Sequence, residues 1–133
     1  MDAYFKRGYT VRETGPVYYT TDMDKTAKWF SDILGWYFEI DERNEAGQGT
    51  YGCVFDLPNA FEILHIAPFT GIHMFYGEPK GGCVAFMKVQ GIEALRDYVF
   101  NHGWKEITPI DAQPWGKMCQ VTTPDGYIMQ FFE

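Results

Sequence analysis

The sequence predicts an α+β domain made of two tandem βαβββ units, and three observations carry this prediction. The first is an internal repeat, because the stretches 17–36 and 84–104 follow the same pattern. The second is that each copy turns from a strand-like run into a helix that ends at a Gly-Trp pair. The third is that three further strand-like runs, joined by a hairpin and a tight turn, complete each copy.

The two predicted helices carry apolar residues at helical spacing. These residues are Met23, Ala27, Phe30 and Leu34 in the first helix, and Ile92, Leu95, Val99 and His102 in the second. Thr21 and Asp22 are the candidates for capping the start of the first helix. Gly35 and Gly103 follow the two helices, where glycine supplies the left-handed residue that ends many helices.

The remaining predicted strands set the boundaries of the two units. In the first unit they are 37–43, 50–56 and 60–66, and in the second they are 105–110, 118–123 and 127–133. The spacing from each helix-ending glycine makes Glu62 and Gln130 repeat mates. The whole chain, 1–133, is therefore expected to be one domain. Its parts are an N-terminal arm (1–15), a first unit (16–66), a connector (67–82) and a second unit (83–133).

Charge and cysteine usage exclude several classes of protein. The net charge is −7, with eleven Lys and Arg residues that form no cluster, so a nucleic-acid partner is not expected. No apolar run approaches the ~20 residues of a membrane span, and the N-terminus lacks a signal-peptide pattern. Cys53, Cys83 and Cys119 form an odd set without metal-binding spacing, which predicts buried, inert thiols in a reducing cytoplasm.

Two stretches of the repeat resemble a known superfamily. The opening "TTDMDKTAKWFSDILGW" and the ending "PWGKMCQVTTPDGYIMQFFE" together resemble the glyoxalase/bleomycin-resistance superfamily, also called the vicinal-oxygen-chelate fold. The resemblance covers 15–133. It implies that each unit curls its strands into a mixed half-barrel, that two units enclose a cavity, and that the protein is a homodimer.

The resemblance also indicates where a metal would be held. Metal enzymes of the superfamily take ligands from the first and last strand of each unit, which correspond here to Gly15 or Pro16, Cys83 or Val84, Glu62, and Gln130. Because glutamine brings an oxygen without a charge and neither first strand offers an imidazole, the site is expected to be lost and no cofactor is expected. The alternative is a relocated divalent metal held by Glu62 with His65 or His73.

The leading function is non-catalytic binding of a small molecule, similar to that of bleomycin-resistance proteins. No motif for nucleophilic catalysis is present, so no catalytic residue is assigned. Aromatic residues make up 18% of the chain, and an acidic surface suits a cationic or aromatic ligand. The candidate ligand-binding residues are Trp115, Glu62, Gln130, Tyr51, Phe38 and Phe61.

Each candidate has a structural alternative. Trp115 lies at a predicted hairpin tip, where it could stack on a ligand or pack on the fold. Because alternation along a strand does not show which face is buried, Phe38, Tyr51 and Phe61 could each pack in the core or contact a ligand. Glu62 interrupts an apolar strand and would either line the cavity with Gln130 or pair with a basic residue.

Two other functional classes remain open. One is a metal-dependent lyase, isomerase or dioxygenase of the same superfamily with the relocated site. The other is a ligand-sensing or protein-interaction module, in which the aromatic residues of the arm and the connector form an interface with a partner.

Overall fold

A computed structural model gives the architecture of the chain and describes residues 8–9, 14–56, 71–82 and 84–133. These residues form two four-stranded mixed sheets, and a helix packs on one face of each sheet. The first unit contains β1 (Val17–Thr20), α1 (Met23–Trp29), β2 (Tyr37–Arg43), β3 (Gly49–Phe55) and β4 (Ile72–Tyr76). The second contains β5 (Val84–Lys88), α2 (Ile92–Asn101), β6 (Asp111–Gln113), β7 (Gly116–Thr122) and β8 (Ile128–Phe132). The prediction of an α+β fold with two βαβββ units is confirmed.

The two sheets share one topology. Their strand orders are β1-β4-β3-β2 and β5-β8-β7-β6, so the last strand of each unit lies beside the first. In both sheets that last strand pairs in parallel with the first strand and antiparallel with the third. The two units therefore follow one pattern of strand pairing.

Strand β4 lies in the segment for which the sequence predicted a connector. Ile72–Tyr76 takes the same place in the first sheet that β8 takes in the second, so β4 is the counterpart of β8. The prediction that Glu62 is the repeat mate of Gln130 is therefore wrong. With Val17 aligned on Val84, the register pairs Tyr19 with Phe75 and Phe86 with Gln130, which makes Phe75 the mate of Gln130. The strand predicted at 60–66 lies outside the described residues.

Helix α1 begins and ends where its sequence signals indicate. The Asp22 side chain accepts a hydrogen bond from the Lys25 backbone N–H at 3.1 Å, as expected of an N-terminal cap. The helix continues as one π-helical turn over Phe30–Leu34 and stops at Gly35, whose φ of 71° lies in the left-handed region. Phe30, Ile33 and Leu34 are buried in the core.

Helix α2 has no side-chain cap of its own, because Gly91 occupies the capping position. The carboxylate of Glu133 supplies the missing acceptor: it accepts hydrogen bonds from the backbone N–H groups of Gly91 at 2.8 Å and Ile92 at 3.1 Å. These two bonds hold the pKa of Glu133 below its ordinary value. The end of the chain therefore stabilises the start of a helix 41 residues earlier.

The core fills the space between the helices and the sheets. Its fully buried members include Phe30, Val54, Ile72, Met74, Ile92, Val99, Val121, Met129 and Phe131. The two units meet where Tyr18 stacks on Tyr127, with ring centroids 4.1 Å apart. Within the described part of the chain, no helix is long and apolar enough to cross a membrane.

Candidate functional site

Among the described residues, each sheet presents one face to its helix, and we call the other face its open face. Since side chains alternate along a strand, the register groups the open-face residues of the first sheet into rows. On the first sheet we call this surface the first open face; its members are Val17, Tyr19, Tyr37, Glu39, Glu42, Tyr51, Cys53, Phe55, His73 and Phe75. It therefore combines aromatic rings with carboxylates, a thiol and an imidazole.

Three side chains on the first open face form a hydrogen-bonded group, which we call the Tyr-Cys-His cluster. The Tyr51 hydroxyl lies 2.9 Å from Nδ1 of His73 and 3.2 Å from Sγ of Cys53. The Cys53 sulfur is also 3.6 Å from the same imidazole nitrogen. The rings of Tyr51 and His73 are nearly parallel, with 17° between their planes. The imidazole can thus exchange a proton with the thiol directly or through the phenol.

A groove runs along the first open face beside this cluster. Its volume is about 580 Å³, which lies within the usual range for small-molecule sites. The groove is open to solvent and is lined by Val17, Glu42, Thr50, Tyr51, His73 and Phe75. Apolar walls with a few polar groups are typical of a small-ligand site.

The corresponding surface of the second sheet, the second open face, combines aromatic and amide side chains with aliphatic ones and with two charged residues. Its members are Val84, Phe86, Lys88, Asp111, Gln113, Met118, Gln120, Thr122, Ile128, Gln130 and Phe132. Phe86 stacks on Phe132 with centroids 4.1 Å apart, and Trp115 meets Phe132 edge-on at 5.8 Å. Phe86 and Trp115 are 59% and 54% exposed, which is high for large rings that already contact other rings.

Three of the predicted ligand-binding residues lie on or beside the open faces. Tyr51 belongs to the first open face and Gln130 to the second, where the Gln130 amide donates to the sulfur of Met118. Trp115 lies at the tip of the β6–β7 hairpin, as the sequence predicted, and borders the second open face. Glu62, Phe61 and His65 lie outside the described residues.

Phe38 packs in the core and does not contact the groove, which is the structural alternative given for it from the sequence. It pairs across the sheet with Val54, a core residue, and its ring centroid is 6.0 Å from that of Phe30 in the π-helical turn after α1. This is the helix side of the sheet, so Phe38 is not brought to the groove.

Sequence reasoning missed the most polar part of the site. His73 was assigned to the connector, but it lies in β4 directly opposite Cys53. Cys53 was expected to be buried and inert, but it is half-buried and contacts a histidine. Cys119 is buried as expected, and Cys83 lies outside the described residues. The signal that was available is the two-residue alternation of Tyr51 and Cys53, which places both on one face.

The described residues do not assemble a metal site. No group of three His, Cys, Asp or Glu side chains within 8–9, 14–56, 71–82 and 84–133 has the arrangement to hold an ion. Of the three residues of the relocated metal site, His73 contacts Tyr51 and Cys53, and the other two lie outside those ranges.

Comparisons with known proteins decide the family. The chain is 52% identical to a glyoxalase-related enzyme from Clostridium phytofermentans, with a TM-score of 0.85 over 96% of this chain and 98% of that one. A model of the bleomycin resistance protein domain matches residues 15–77. The chain belongs to the glyoxalase/bleomycin-resistance superfamily. The resemblance stated from the sequence is thereby confirmed.

More distant members of this superfamily share the fold. A bleomycin-binding protein from Streptomyces verticillus, solved with copper(II)-bleomycin, is 16% identical, with a TM-score of 0.67 over 92% of this chain and 96% of that one. A superfamily member from Sphaerobacter thermophilus is 12% identical, with a TM-score of 0.69 over 93% and 98% of the two chains. No curated protein sequence matches the chain significantly.

Proposed function

We propose that this protein binds a small aromatic or cationic molecule between the open faces of its sheets and carries out no reaction on it. The observation that carries the proposal is the exposure of large aromatic side chains on both open faces. Phe75 on the first face is 38% exposed, and Phe86 and Trp115 at the second are more exposed still. Solvent-exposed rings grouped on a concave surface are typical of sites that stack a planar ligand.

Charge on the first open face supports a cationic ligand. Glu39 pairs across the sheet with Cys53, and Glu42 pairs with Tyr51, so two carboxylates border the aromatic groove. The net charge of −7 extends this field over the surface and would speed the encounter with a cation. A cation can also lie against the faces of Tyr51 and Phe75. The fold relatives that bind bleomycin support a binding role of this kind.

A homodimer is part of the proposal. Exposed apolar side chains on both open faces are costly in water, and a second copy of the chain would cover them. In such a dimer, ligand and partner subunit would share the burial of these rings. Trp115, at a hairpin tip, would then border the ligand.

Isothermal titration calorimetry tests the proposal with two probes, metal-free bleomycin and the planar cation ethidium. We expect saturable binding of at least one probe with a Kd of about 10 µM or lower. Replacing Trp115 with Ala should weaken that binding tenfold or more, which corresponds to about 1.4 kcal/mol, while the fold stays intact.

The matched control is Phe100→Ala, because Phe100 is an exposed ring on α2, away from both open faces. Its replacement should leave the Kd unchanged. The absence of saturable binding of either probe to the folded wild-type protein would refute the proposal. An equal loss of affinity in the two variants would remove Trp115 from the site.

A metal-dependent enzyme is the second candidate, and His73 favours it. This residue lies in the last strand of the first unit, with its side chain in the groove, and the 52% identical relative is described as an enzyme. Measuring the metal content of protein grown in metal-replete medium separates the candidates. One stoichiometric transition metal or zinc ion per chain would favour the enzyme over the binding protein.

A further inference from the structure

The Tyr-Cys-His cluster points to a chemistry that simple binding does not use. We propose that Cys53 is a nucleophilic thiol that adds covalently to small α,β-unsaturated carbonyl compounds, with Tyr51 and His73 moving its proton. The proposal concerns covalent capture of an electrophile and does not depend on the aromatic ligand proposed above.

The sheet register fixes the thiol beside its base. Cys53 and His73 are directly opposed on β3 and β4, so their side chains leave the sheet on the same face. The sulfur is 3.6 Å from Nδ1, and the Tyr51 hydroxyl bridges the two groups at 3.2 Å and 2.9 Å. A thiol reacts as its thiolate, and a base within hydrogen-bond reach is the common means of forming that thiolate at neutral pH.

The addition balances without any further reactant. The thiol proton passes to the Tyr51 oxygen while the phenolic proton passes to Nδ1 of His73, whose neutral ring then becomes an imidazolium. The sulfur electron pair forms a carbon–sulfur bond at the β-carbon, and the π electrons of the alkene move toward the carbonyl to give an enolate. The imidazolium returns one proton through Tyr51 to the α-carbon. The product is a saturated thioether, and nothing is oxidised or released.

A groove adjoins the cluster that holds this sulfur. Cys53 is half-buried, and the adjoining groove of about 580 Å³ has walls from Tyr51, His73 and Phe75. Cys119 offers a contrast within the same chain: it is only 1% exposed, and burial raises the pKa of its thiol. A thiol in that position lacks both access and ionisation.

The second sheet lacks the cluster altogether. The register equates Cys53 with Thr122, His73 with Ile128, and Tyr51 with Gln120. The thiol and the imidazole thus occur together on the first open face, and other side chains replace them on the second. The fold that the two sheets share therefore does not require these groups.

The test is the rate of reaction with N-ethylmaleimide, an uncharged α,β-unsaturated carbonyl probe. Adducts are counted by intact mass and assigned to Cys53, Cys83 or Cys119 by peptide mapping. At pH 7 we expect Cys53 to react at least tenfold faster than glutathione. His73→Asn should slow the reaction at Cys53 at least tenfold at pH 7 and less than threefold at pH 9.5, because a free thiol with a pKa of about 8.5 ionises there without a base.

Two controls separate proton transfer from a general loss of structure. His102→Asn, on an exposed histidine at the end of α2, should leave the rate at Cys53 unchanged. Tyr51→Phe should slow the reaction at pH 7 and lose that effect at pH 9.5, which keeps the test available if His73→Asn does not fold. A Cys53 rate at or below that of glutathione overturns the proposal, as does a His73→Asn loss that is equal at both pH values.

Discussion

The two open faces share a backbone arrangement and differ in their chemistry. On the first, a phenol, a thiol and an imidazole are hydrogen bonded beside two carboxylates. On the second, the corresponding positions hold amide, hydroxyl and aliphatic side chains, and the exposed rings of Phe86 and Trp115 dominate. The first face is therefore suited to proton transfer and cation attraction, and the second to stacking.

The helix sides of the same sheets share one identical pair, although other equivalent positions there differ, as Tyr18 and Ala85 do. Met74 on β4 and Met129 on β8 take equivalent positions beside β1 and β5, and both are fully buried. A residue on the helix side must fill a packed space of fixed shape, so its size and polarity are constrained by neighbours on several elements. Exposed positions on the open faces are less constrained by packing, so one strand arrangement supports two kinds of surface.

Substitutions on the two sides of β8 give the largest expected difference. Met129→Ala should lower the free energy of unfolding by about 2–5 kcal/mol, because it leaves a cavity in the core. Met74→Ala, the equivalent change in the first unit, should cost a similar amount. Gln130→Ala, one residue from Met129 but on the open side, should cost about 1 kcal/mol or less. Urea unfolding at fixed protein concentration measures all three.

A Gln130→Ala cost equal to that of Met129→Ala would place Gln130 in the core and remove it from the open face. A Met74→Ala cost far below that of Met129→Ala would show that the two units do not share an equivalent core. Either outcome would break the comparison between the sheets.

The fold could be predicted from the sequence because its signals are local. Gly35 and Gly103 end their helices and period-two runs mark the strands, so the repeat is visible without tertiary information. Strand β4 was not predicted because the two units differ in the number of residues before their last strand. Residues 56–71 separate β3 from β4, but only residues 123–127 separate β7 from β8. Longer loops cost little free energy, so equal spacing in the two copies is not enforced physically.

The candidate site was predicted in part, for reasons of face and register. Alternation along a strand does not show which of its two faces is buried, so the sequence could not decide whether Tyr51 or Phe38 faces the core. The strand register decides it, because Phe38 pairs with the core residue Val54 and Tyr51 pairs with Phe75 on the open face. His73 was missed because its strand was assigned to a connector, and the partners of Cys53 were missed with it. Side chains that meet across strands are fixed by pairing, which a single sequence does not contain.

The next largest expected effect is on self-association, and it tests whether the second open face forms the interface of the proposed homodimer. Phe86→Glu should weaken self-association at least tenfold, because a charge would replace an exposed ring that the partner subunit is expected to cover. Native mass spectrometry over a dilution series measures the proportion of dimers of the 15.4 kDa chain. Phe100→Glu on α2 is the matched control and should leave association unchanged. A wild-type chain that stays monomeric at high concentration would contradict the expectation.

The smallest expected effect concerns the different capping of the two helices. Asp22 caps α1 from the adjacent position, but α2 depends on Glu133 at the far end of the chain. Because hydrogen bonds from Gly91 and Ile92 hold the pKa of Glu133 below its ordinary 4.5, the folded state favours the charged carboxylate. Its stabilising contribution is therefore present above pH 4.5 and is lost as the pH falls through the lowered value.

Glu133→Gln should lower the Tm at pH 7 by a few degrees, since the amide keeps an acceptor but loses the charge that favours a helix N-terminus. The difference between wild type and variant should shrink as the pH falls from 5 to 3, because the wild-type carboxyl becomes neutral there. Circular dichroism melts at several pH values measure this, with Glu45→Gln in the exposed β2–β3 turn as the control. A Tm difference that stays constant with pH would mean that the amide disturbs packing, and that the charge of Glu133 does not stabilise α2.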